Sequence, residues 1–214
     1  MGSKLKRDQL PPEKAANWRK NMKEEEKLSF NLKVPHIVLK KETYKILAGE
    51  NENRVRVYLG LEAETEKDKL ELCAYAVSAF LLGSGDVYVD YETPVYKVGK
   101  ENIDFSSKTV QVIESIKRYR DWRAGKIDNN NAFAAMRQFI YPNAYLFTKF
   151  ELHEIFNVQN KSEAQIEFGI SKTMNAMINP TVIETRALDD DSDTFDFADI
   201  CPPYCDERSI YNPS

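Results

Sequence analysis

The sequence predicts an α+β fold made of two similar helix–helix–strand–strand units, with antiparallel sheets and a short C-terminal arm. Helical stretches with capping residues alternate with strand-like stretches of period two, and this order occurs twice along the chain. With 214 residues, 42% of them hydrophobic, the chain is long enough to bury the core of one large domain or of two small ones.

The first unit begins with a predicted helix. Pro11-Pro12 precedes EKAANWRKNMKEEEK, where proline fits the first helical turn and Ala, Lys and Glu are strong helix formers. KKETYKILAGE predicts a second, short helix that ends at Gly49. Three strands are expected after it, in RVRVYLGLE, KLELCAYAVSAFLL and DVYVDYETPVYKV.

The second unit repeats this order. SSKTVQVIESIKRYRDWRAGK has apolar residues at three-residue steps, which predicts a helix with Ser106 or Ser107 as its cap. After an Asn-rich break, NAFAAMRQFI predicts a helix that ends before Pro142, and KFELHEIFNV predicts another. AQIEFGIS and NPTVIETRAL predict two strands.

Sequence matches between the halves indicate a tandem duplication. Trp18 and Trp122 both precede an arginine, and the segment from Val55 to Leu61 matches the segment from Ala164 to Ile170 at an offset of 109. We therefore divide the chain into a first unit at 1–100, a second unit at 101–188 and an arm at 189–214.

Structural roles are expected for the matched residues. Each tryptophan is predicted to anchor the first helix of its unit against the sheet of that unit. Gly60 and Gly169 occupy equivalent positions and are expected to mark a bend, a bulge or a close approach of a helix.

Charge is distributed unevenly along the chain. The net charge is −4, but residues 189–214 hold eight acidic residues and one basic residue, so the arm carries −7 and the body +3. An acidic arm is either solvated or docked on a basic face of the same chain or of a partner. Phe195, Phe197 and Ile200 alternate with polar residues, which predicts that the later part of the arm docks as an extended strand.

The densest basic stretch of the chain contains Arg118, Arg120 and Arg123, interleaved with Tyr119 and Trp122. A solvated helix face beside a buried aromatic stripe is the main interpretation. As a functional alternative, the stretch would bind an anion, RNA or the acidic segment Asp189–Asp199 of the arm.

Cys201 and Cys205 are the most distinctive candidate chemical site in the sequence. Thiolates are zinc ligands, but a structural zinc site needs four ligands. The remaining candidates, Cys73, His36 and His153, are scattered through predicted core elements. Zinc is therefore an alternative, and the main prediction is that the protein has no cofactor.

Two other interpretations of the Cys-Pro-Pro-Tyr-Cys segment stay open. Polyproline geometry would hold the two cysteine Cα atoms ~12 Å apart. A disulfide or thiol switch needs them within ~4.4–6.8 Å, hence a turn over Pro203-Tyr204 or a cis proline. Otherwise the prolines stiffen an arm that docks in a groove. The contact residues would then be Phe195, Phe197, Pro202, Pro203 and Tyr204.

The chain resembles a family of small uncharacterised proteins of Bacteroidota-type bacteria. The resemblance lies in the opening Asn-Trp-Arg helix, in ETYKILAGENENRVRVYLGL and in the C-terminal Cys-Pro-Pro-x-Cys, here Cys201 to Cys205. It covers about half of the chain, and the second unit is a departure from the single unit of the family. The resemblance implies an α+β domain in a bacterial cytosol and implies no activity.

Several classes of protein are disfavoured by the sequence. No run of 18 apolar residues is present, so no membrane span is expected. The start of the chain has no apolar region typical of a secretory signal. An acidic chain disfavours nucleic acid as a partner, and three cysteines fit a reducing cytosol. The phosphate-binding, zinc-protease and serine-hydrolase motifs are absent.

The sequence therefore predicts a non-catalytic interaction protein of the bacterial cytoplasm. We expect it to bind a protein partner or a second copy of itself through the C-terminal arm and the edges of its sheets. The alternatives are a metal-binding or thiol-redox protein that uses Cys201 and Cys205, and an enzyme with a cleft between the two halves.

Overall fold

The computed structural model describes residues 5–28, 36–63, 70–127, 142–171, 176–184, 194–195, 198–201 and 204–212. Within these ranges the chain forms four α-helices and two antiparallel sheets. The helices are α1 (Pro12–Leu28), α2 (Lys41–Ala48), α3 (Thr109–Arg123) and α4 (Lys149–His153). A 3₁₀ turn at Ser106–Lys108 precedes α3, and a π-helical turn at Glu154–Val158 continues α4.

The larger sheet has six strands in the spatial order β10-β6-β2-β3-β4-β5. These strands are β2 (Arg54–Ala63), β3 (Leu70–Leu82), β4 (Val87–Val98), β5 (Asn102–Asp104), β6 (Ala144–Leu146) and β10 (Asp199–Cys201). The smaller sheet has the order β1-β7-β8-β9. Its strands are β1 (Ile37–Lys40), β7 (Glu163–Ser171), β8 (Ala176–Glu184) and β9 (Thr194–Phe195).

The mixed helix and sheet composition and the antiparallel pairing confirm the predicted combination of helices with antiparallel sheets. The helices expected in EKAANWRKNMKEEEK, KKETYKILAGE and the Trp122 region are α1, α2 and α3, and KFELHEIFNV forms α4 with its π-helical turn. All five predicted strands are present as β2, β3, β4, β7 and β8. The helix expected in NAFAAMRQFI lies outside the described residues.

The two tryptophan-bearing helices pack on strands of the opposite half of the chain. Trp18 of α1 meets β7 at Gly169, where an added Cβ would lie 2.9 Å from the Cβ of Trp18. The Asn21 side chain of α1 also donates to the Ile170 carbonyl at 2.9 Å. On the other side, the Ser115 hydroxyl of α3 donates to the Leu61 carbonyl of β2 at 3.1 Å.

This exchange differs from the prediction that each tryptophan anchors its helix against the sheet of its own unit. The two glycines are sites of close helix approach, as one of the alternatives predicted. Because Gly169 has no side chain, the backbone of α1 comes near enough to β7 for Trp18 to fill the space. The surface of α1 thus fits the surface of the sheet that contains β7, although the two come from different halves of the chain.

One strand of each half also joins the sheet of the other. β1 pairs with β7, with Ile37 opposite Ile166. β6 pairs with β2, with Tyr145 opposite Val57. The two sheets enclose the larger core, in which the rings of Tyr145 and Phe168 are 6.2 Å apart. A second core lies on the other face of the six-stranded sheet and contains Tyr58, Tyr75, Val112, Ile116 and Tyr211.

Gly60→Ala is expected to lower the free energy of unfolding by about 1–3 kcal/mol, because an overpacked site has to shift its neighbours. The added Cβ would lie 2.5 Å from Ser115 Oγ and 2.9 Å from Tyr75 Cε2. Urea denaturation measures the change. Gly85→Ala is the control, since its nearest neighbour would be 3.9 Å away. Equal stability of the two variants would contradict the close approach of α3 to β2.

Candidate functional site

The described residues of the C-terminal arm lie on the body of the same chain. Phe195 in β9 is fully buried and lies opposite Val182 of β8. β10 pairs with β6, where Ile200 lies opposite Tyr145, and the Asn143 N–H donates to the Cys201 carbonyl at 2.7 Å. Both described stretches are extended, as the alternation of apolar residues predicted.

Cys201 and Cys205 are joined by a disulfide, with their Cα atoms 4.8 Å apart. The Tyr204 N–H donates to the Ile200 carbonyl at 3.1 Å. The distance between the two Cα atoms is far below the ~12 Å of fully extended proline geometry and lies in the range of a disulfide. Cys201 is buried and Cys205 is half-buried.

After the disulfide, the chain crosses the outer face of the six-stranded sheet. Asp206 accepts from the Asp90 N–H at 2.9 Å and from the Arg208 N–H at 3.0 Å. Tyr211 is fully buried, its ring lies 5.7 Å from that of Tyr58, and its hydroxyl donates to the Glu92 carbonyl. The end of the chain is thus part of the second core.

An ion pair is buried beneath this segment. Arg56 Nη1 lies 3.1 Å from Asp90 Oδ1, and each of the two side chains is 1% exposed. The Tyr58 hydroxyl donates to Asp90 Oδ2 at 2.5 Å, and Arg56 Nη2 donates to the Tyr88 carbonyl at 3.2 Å. Arg56 Nε has no hydrogen-bond partner among the described residues.

Burial controls the electrostatics of this pair. Loss of solvation raises the pKa of the Asp90 carboxyl by more than the nearby Arg56 guanidinium and the Tyr58 hydroxyl lower it. Burial likewise raises the pKa of Tyr58, and the charge of Asp90 raises it further. Ionising Asp90 therefore costs free energy in the folded chain. Part of this cost arises because the arm covers Asp90 and keeps water away from its carboxyl group.

A small cleft of about 160 Å³ opens between the β3–β4 turn and the disulfide. It is lined by Arg56, Asp86, Val87, Tyr88, Leu146, Asp199, Tyr204 and Cys205. Because these residues come from both halves and the arm, the cleft lies where an enzyme with a cleft between the halves would need one. Its volume is below the roughly 300–1,000 Å³ typical of small-molecule sites.

In the described part of the chain, Arg120 of the predicted basic stretch contacts the arm. Arg120 donates to the side chain of Asn212, and burial lowers its pKa. Arg118 is exposed and donates to the Leu61 carbonyl at 3.3 Å, while Arg123 is half-buried. Within the described part of the arm, Asp199 pairs instead with Arg54, at 2.7 Å. The described contact of Arg120 with the arm is therefore made with an amide.

The predicted contact residues of the arm lie in different environments. Phe195 lies in the core of its own chain, whereas Tyr204 is 55% exposed. Phe197, Pro202 and Pro203 lie outside the described residues. Among the described residues of this set, Tyr204 alone is exposed for contact with a second molecule.

Cys73 lies in a buried polar network that the sequence did not indicate. Its Sγ is 3.2 Å from Ser115 Oγ and 3.7 Å from the Tyr75 hydroxyl, which donates to Glu62 at 2.7 Å. Burial raises the pKa of the Cys73 thiol to about 11. The thiol is therefore protonated at neutral pH and is a poor nucleophile.

Lys97 connects this network to the surface. Burial opposes ionisation of Glu62, but hydrogen bonds from Lys97, at 2.5 Å, and from Tyr75 outweigh it and lower the pKa of Glu62. The network thus holds a charged Lys–Glu pair at the surface and a neutral thiol inside. His36 and His153 are exposed, and the described residues contain no cluster of three or more potential metal ligands.

An exposed apolar surface covers one side of the β3–β4 hairpin. Phe80 lies opposite Val89 and Leu82 opposite Val87, so all four side chains share one side of the sheet. Tyr91 extends this surface, with its ring 4.6 Å from that of Phe80. Leu82, Val87 and Tyr91 are 53%, 54% and 42% exposed. We call these five residues the hairpin face.

Several described sheet edges are covered by other residues of the chain. At β1, the Asn102 side chain donates to the Val38 carbonyl at 2.6 Å and accepts from the Lys40 N–H at 2.8 Å. At β9, the Leu10 N–H donates to the Thr194 carbonyl at 2.6 Å. The arm covers part of β4, where Asp206 and Tyr211 bind the backbone of Asp90 and Glu92. Among the described strands, β5 and β10 have open outer edges, and β9 pairs with only Val182 and Ile183 of β8.

Comparisons with models of protein families, with curated proteins and with solved structures found no match to this chain. In the described part of the chain, none of the helices combines the length and the apolar character that crossing a membrane would require.

Proposed function

We propose that this protein is a non-catalytic interaction protein that binds its partner through the hairpin face. The observation that carries the proposal is the continuous, half-exposed apolar surface made by Phe80, Leu82, Val87, Val89 and Tyr91. Contiguous apolar patches on single chains often mark sites of protein association.

The distribution of contacts within the chain supports the hairpin face over the other predicted docking elements. The described arm is committed to its own body through Phe195, Cys201, Asp206 and Tyr211. The outer edge of β1 and part of that of β4 are also covered by the chain itself. Tyr204, next to the disulfide, is the part of the arm that we propose as an additional contact.

A photo-crosslinking amino acid at Leu82 is expected to trap a specific protein in living cells, because this side chain is 53% exposed on the hairpin face. The same probe at Val110 of α3 is the matched control, since Val110 is 67% exposed and lies away from the face. Mass spectrometry identifies the adducts. Val87→Ser should abolish the adduct at position 82, and equal yields at 82 and 110 would contradict the proposal.

We propose that the protein acts in the bacterial cytoplasm and is related to the Bacteroidota family that it resembles. The count of three cysteines and the Cys-Pro-Pro-Tyr-Cys segment support this placement. In a reducing compartment, disulfides are usually transient and serve catalysis or redox sensing. The Cys201–Cys205 disulfide therefore favours a second candidate function, in which the arm is a thiol-redox element.

The two cysteines would also be the metal ligands in the zinc alternative. In their reduced form they supply two thiolates, and two more ligands would have to complete the site. Elemental analysis of protein purified under reducing conditions tests this directly. About one zinc per chain that disappears in Cys201→Ser/Cys205→Ser would support the metal alternative.

Cys201→Ser/Cys205→Ser is expected to lower the free energy of unfolding by up to about 2 kcal/mol, because the disulfide closes a loop of only five residues in the unfolded chain. Denaturation with and without dithiothreitol measures the effect. Reductant should destabilise the wild type and leave the double variant unchanged. A Cys73→Ser variant that still responds to reductant confirms the assignment of the effect to the pair.

We further propose that the two halves arose by tandem duplication. The sequence offset of 109 makes Val57 equivalent to Ile166, and these residues pair with Tyr145 and Ile37 of the exchanged strands. The close approach of a helix at both Gly60 and Gly169 gives further support.

A further inference from the structure

We infer that Cys205 is the sulfur that exchanges with low-molecular-weight thiols and disulfides, and that Cys201 is the resolving cysteine that displaces them. This inference rests on the second candidate function, in which the arm is a thiol-redox element. It adds the reacting sulfur, the chemical class of the reactant and the route by which the reactant reaches the pair.

The two sulfurs of the disulfide differ in access. Cys201 is 1% exposed and belongs to the second core, and its backbone lies in β10 opposite Ala144 of β6. Cys205 is half-buried and packs against that core from its border. The rate of thiol–disulfide exchange depends on which sulfur is attacked and on the access of the attacking thiolate to it. The structure therefore directs attack to Cys205 and makes Cys201 the leaving group.

The cleft between the β3–β4 turn and the disulfide gives a reactant its route to the pair. Cys205 is among the residues that line it, next to Tyr204, whose side chain is 55% exposed. The cleft volume of about 160 Å³ equals that of about five water molecules at ~30 Å³ each. A thiol as small as cysteamine fits this volume, whereas the tripeptide glutathione exceeds it.

Both cysteines are held close together by the contacts that flank them. On one side, the Asn143 N–H donates to the Cys201 carbonyl at 2.7 Å. On the other side, Asp206, which follows Cys205, accepts from the Asp90 N–H at 2.9 Å. With their Cα atoms 4.8 Å apart, the Cys201 thiol stays within reach of a mixed disulfide at Cys205. Closure is then effectively unimolecular, so the mixed disulfide is short-lived.

The exchange conserves atoms and electrons. When a thiol RSH attacks, its sulfur bonds to Cys205 Sγ and the bond between the two cysteine sulfurs breaks. The electron pair of that bond goes to Cys201 Sγ, which receives the proton of RSH. When a disulfide RSSR meets the reduced pair, Cys205 Sγ takes one RS group and the other leaves as RSH. Attack by Cys201 on Cys205 then releases the second RSH, so RSSR is reduced while the pair is oxidised.

Single-cysteine variants of the full chain test which sulfur exchanges. Cys201→Ser and Cys205→Ser, each combined with Cys73→Ser, are incubated with cystamine, the disulfide of cysteamine. Intact mass spectrometry follows the addition of one cysteamine group per chain. The variant that retains Cys205 is expected to form the adduct about tenfold faster than the variant that retains Cys201, because Cys201 is buried.

The size of the reactant tests the route through the cleft. The variant that retains Cys205 is treated with cystamine and with glutathione disulfide, and each rate is divided by the rate of the same variant unfolded in urea. This ratio cancels the intrinsic reactivity of the reagent, and the folded chain is expected to favour cystamine by about tenfold. Tyr204→Ala, which widens the cleft, should reduce this preference. Phe150→Ala is the matched control and should keep it, since Phe150 is an aromatic residue of similar exposure, 52%, on α4.

Other outcomes separate the inference from the thiol-redox function. Equal adduct rates in the two single-cysteine variants, or a faster rate at Cys201, would overturn the inference alone. Equal ratios for cystamine and glutathione disulfide would overturn the route through the cleft. A wild-type pair that stays oxidised in a strongly reducing glutathione buffer would overturn the thiol-redox function, while the single-cysteine rates still decide which sulfur exchanges.

Labelling of the reduced wild type decides the inference if a serine variant does not fold. Limiting iodoacetamide followed by peptide mapping shows which cysteine is alkylated first. Cys205 is expected to be labelled first, and earlier labelling of Cys201 would overturn the inference.

Discussion

Arg56→Met is expected to lower the free energy of unfolding by about 3–5 kcal/mol, because it leaves a buried carboxyl group without its counterion. Asp90 would keep the hydrogen bond from Tyr58 but lose the guanidinium at 3.1 Å. The Tyr88 carbonyl would lose a donor as well. Urea denaturation of the wild type and the variant at neutral pH measures the loss.

The double variant Arg56→Met/Asp90→Asn tests whether the two side chains act as a pair. It is expected to lose clearly less stability than the sum of the two single variants, since no unpaired charge is left inside the protein. Additive losses would contradict a direct interaction between Arg56 and Asp90.

The pH dependence of stability follows from the raised pKa of Asp90. Between the ordinary aspartate pKa and this raised value, the folded chain binds more protons than the unfolded chain. The contribution of Asp90 to the free energy of unfolding is therefore complete at low pH and is lost as the pH rises through the raised pKa. Arg56→Met should extend this fall to higher pH, because the guanidinium that lowers the pKa of Asp90 is gone, and Arg56→Met/Asp90→Asn should abolish it.

Tyr211→Ala is expected to lower the free energy of unfolding by about 3–5 kcal/mol, as for other large aromatic side chains deleted from a core. The ring is fully buried against Tyr58, and its loss should free the end of the arm. Denaturation gives the stability, and limited proteolysis gives the release of residues 204–212.

Tyr211→Phe is the matched control for this prediction. It keeps the ring and removes the hydrogen bond to the Glu92 carbonyl, so a loss of only about 1 kcal/mol is expected. Wild-type stability and proteolysis in Tyr211→Ala would show that the arm does not dock on the sheet in solution.

The long elements of the fold could be predicted because their signals are local. α1 begins at a proline and is rich in strong helix formers, and α3 has apolar residues at helical spacing. β2 alternates and β3 is largely apolar, each over ten or more residues. β1 and β6 were missed, since strands of three or four residues have no measurable period. Their pairing with β7 and β2 arises only in the folded chain.

Local signals were also present but unused. Thr148-Lys-Phe-Glu151 is a capping box, in which the Glu151 N–H donates to Thr148 Oγ1 at 3.3 Å and the Thr148 N–H donates to Glu151 at 3.1 Å. This pattern could have placed the start of α4. The hairpin face could have been suspected from the apolar residues on both sides of the glycine-rich turn.

The candidate sites depended on contacts that the sequence does not display. Arg56 alternates with apolar residues in RVRVYLGL and would be taken for a solvated side chain. It is buried because residues from the end of the chain lie over it. The cysteine pair was visible as a pattern, but its closure depends on the 4.8 Å distance between the two Cα atoms, which arises only in the folded chain.

The exchange of helices between the halves has a consequence for how the chain folds during its synthesis. Trp18 and Gly169 are about 150 residues apart, so α1 leaves the ribosome long before its binding strand exists. Contacts of such sequence separation slow folding, and apolar surface stays open to solvent meanwhile. The nascent chain is therefore expected to rely on chaperones until β7 emerges, and slower translation near the end of the message would prolong that exposure.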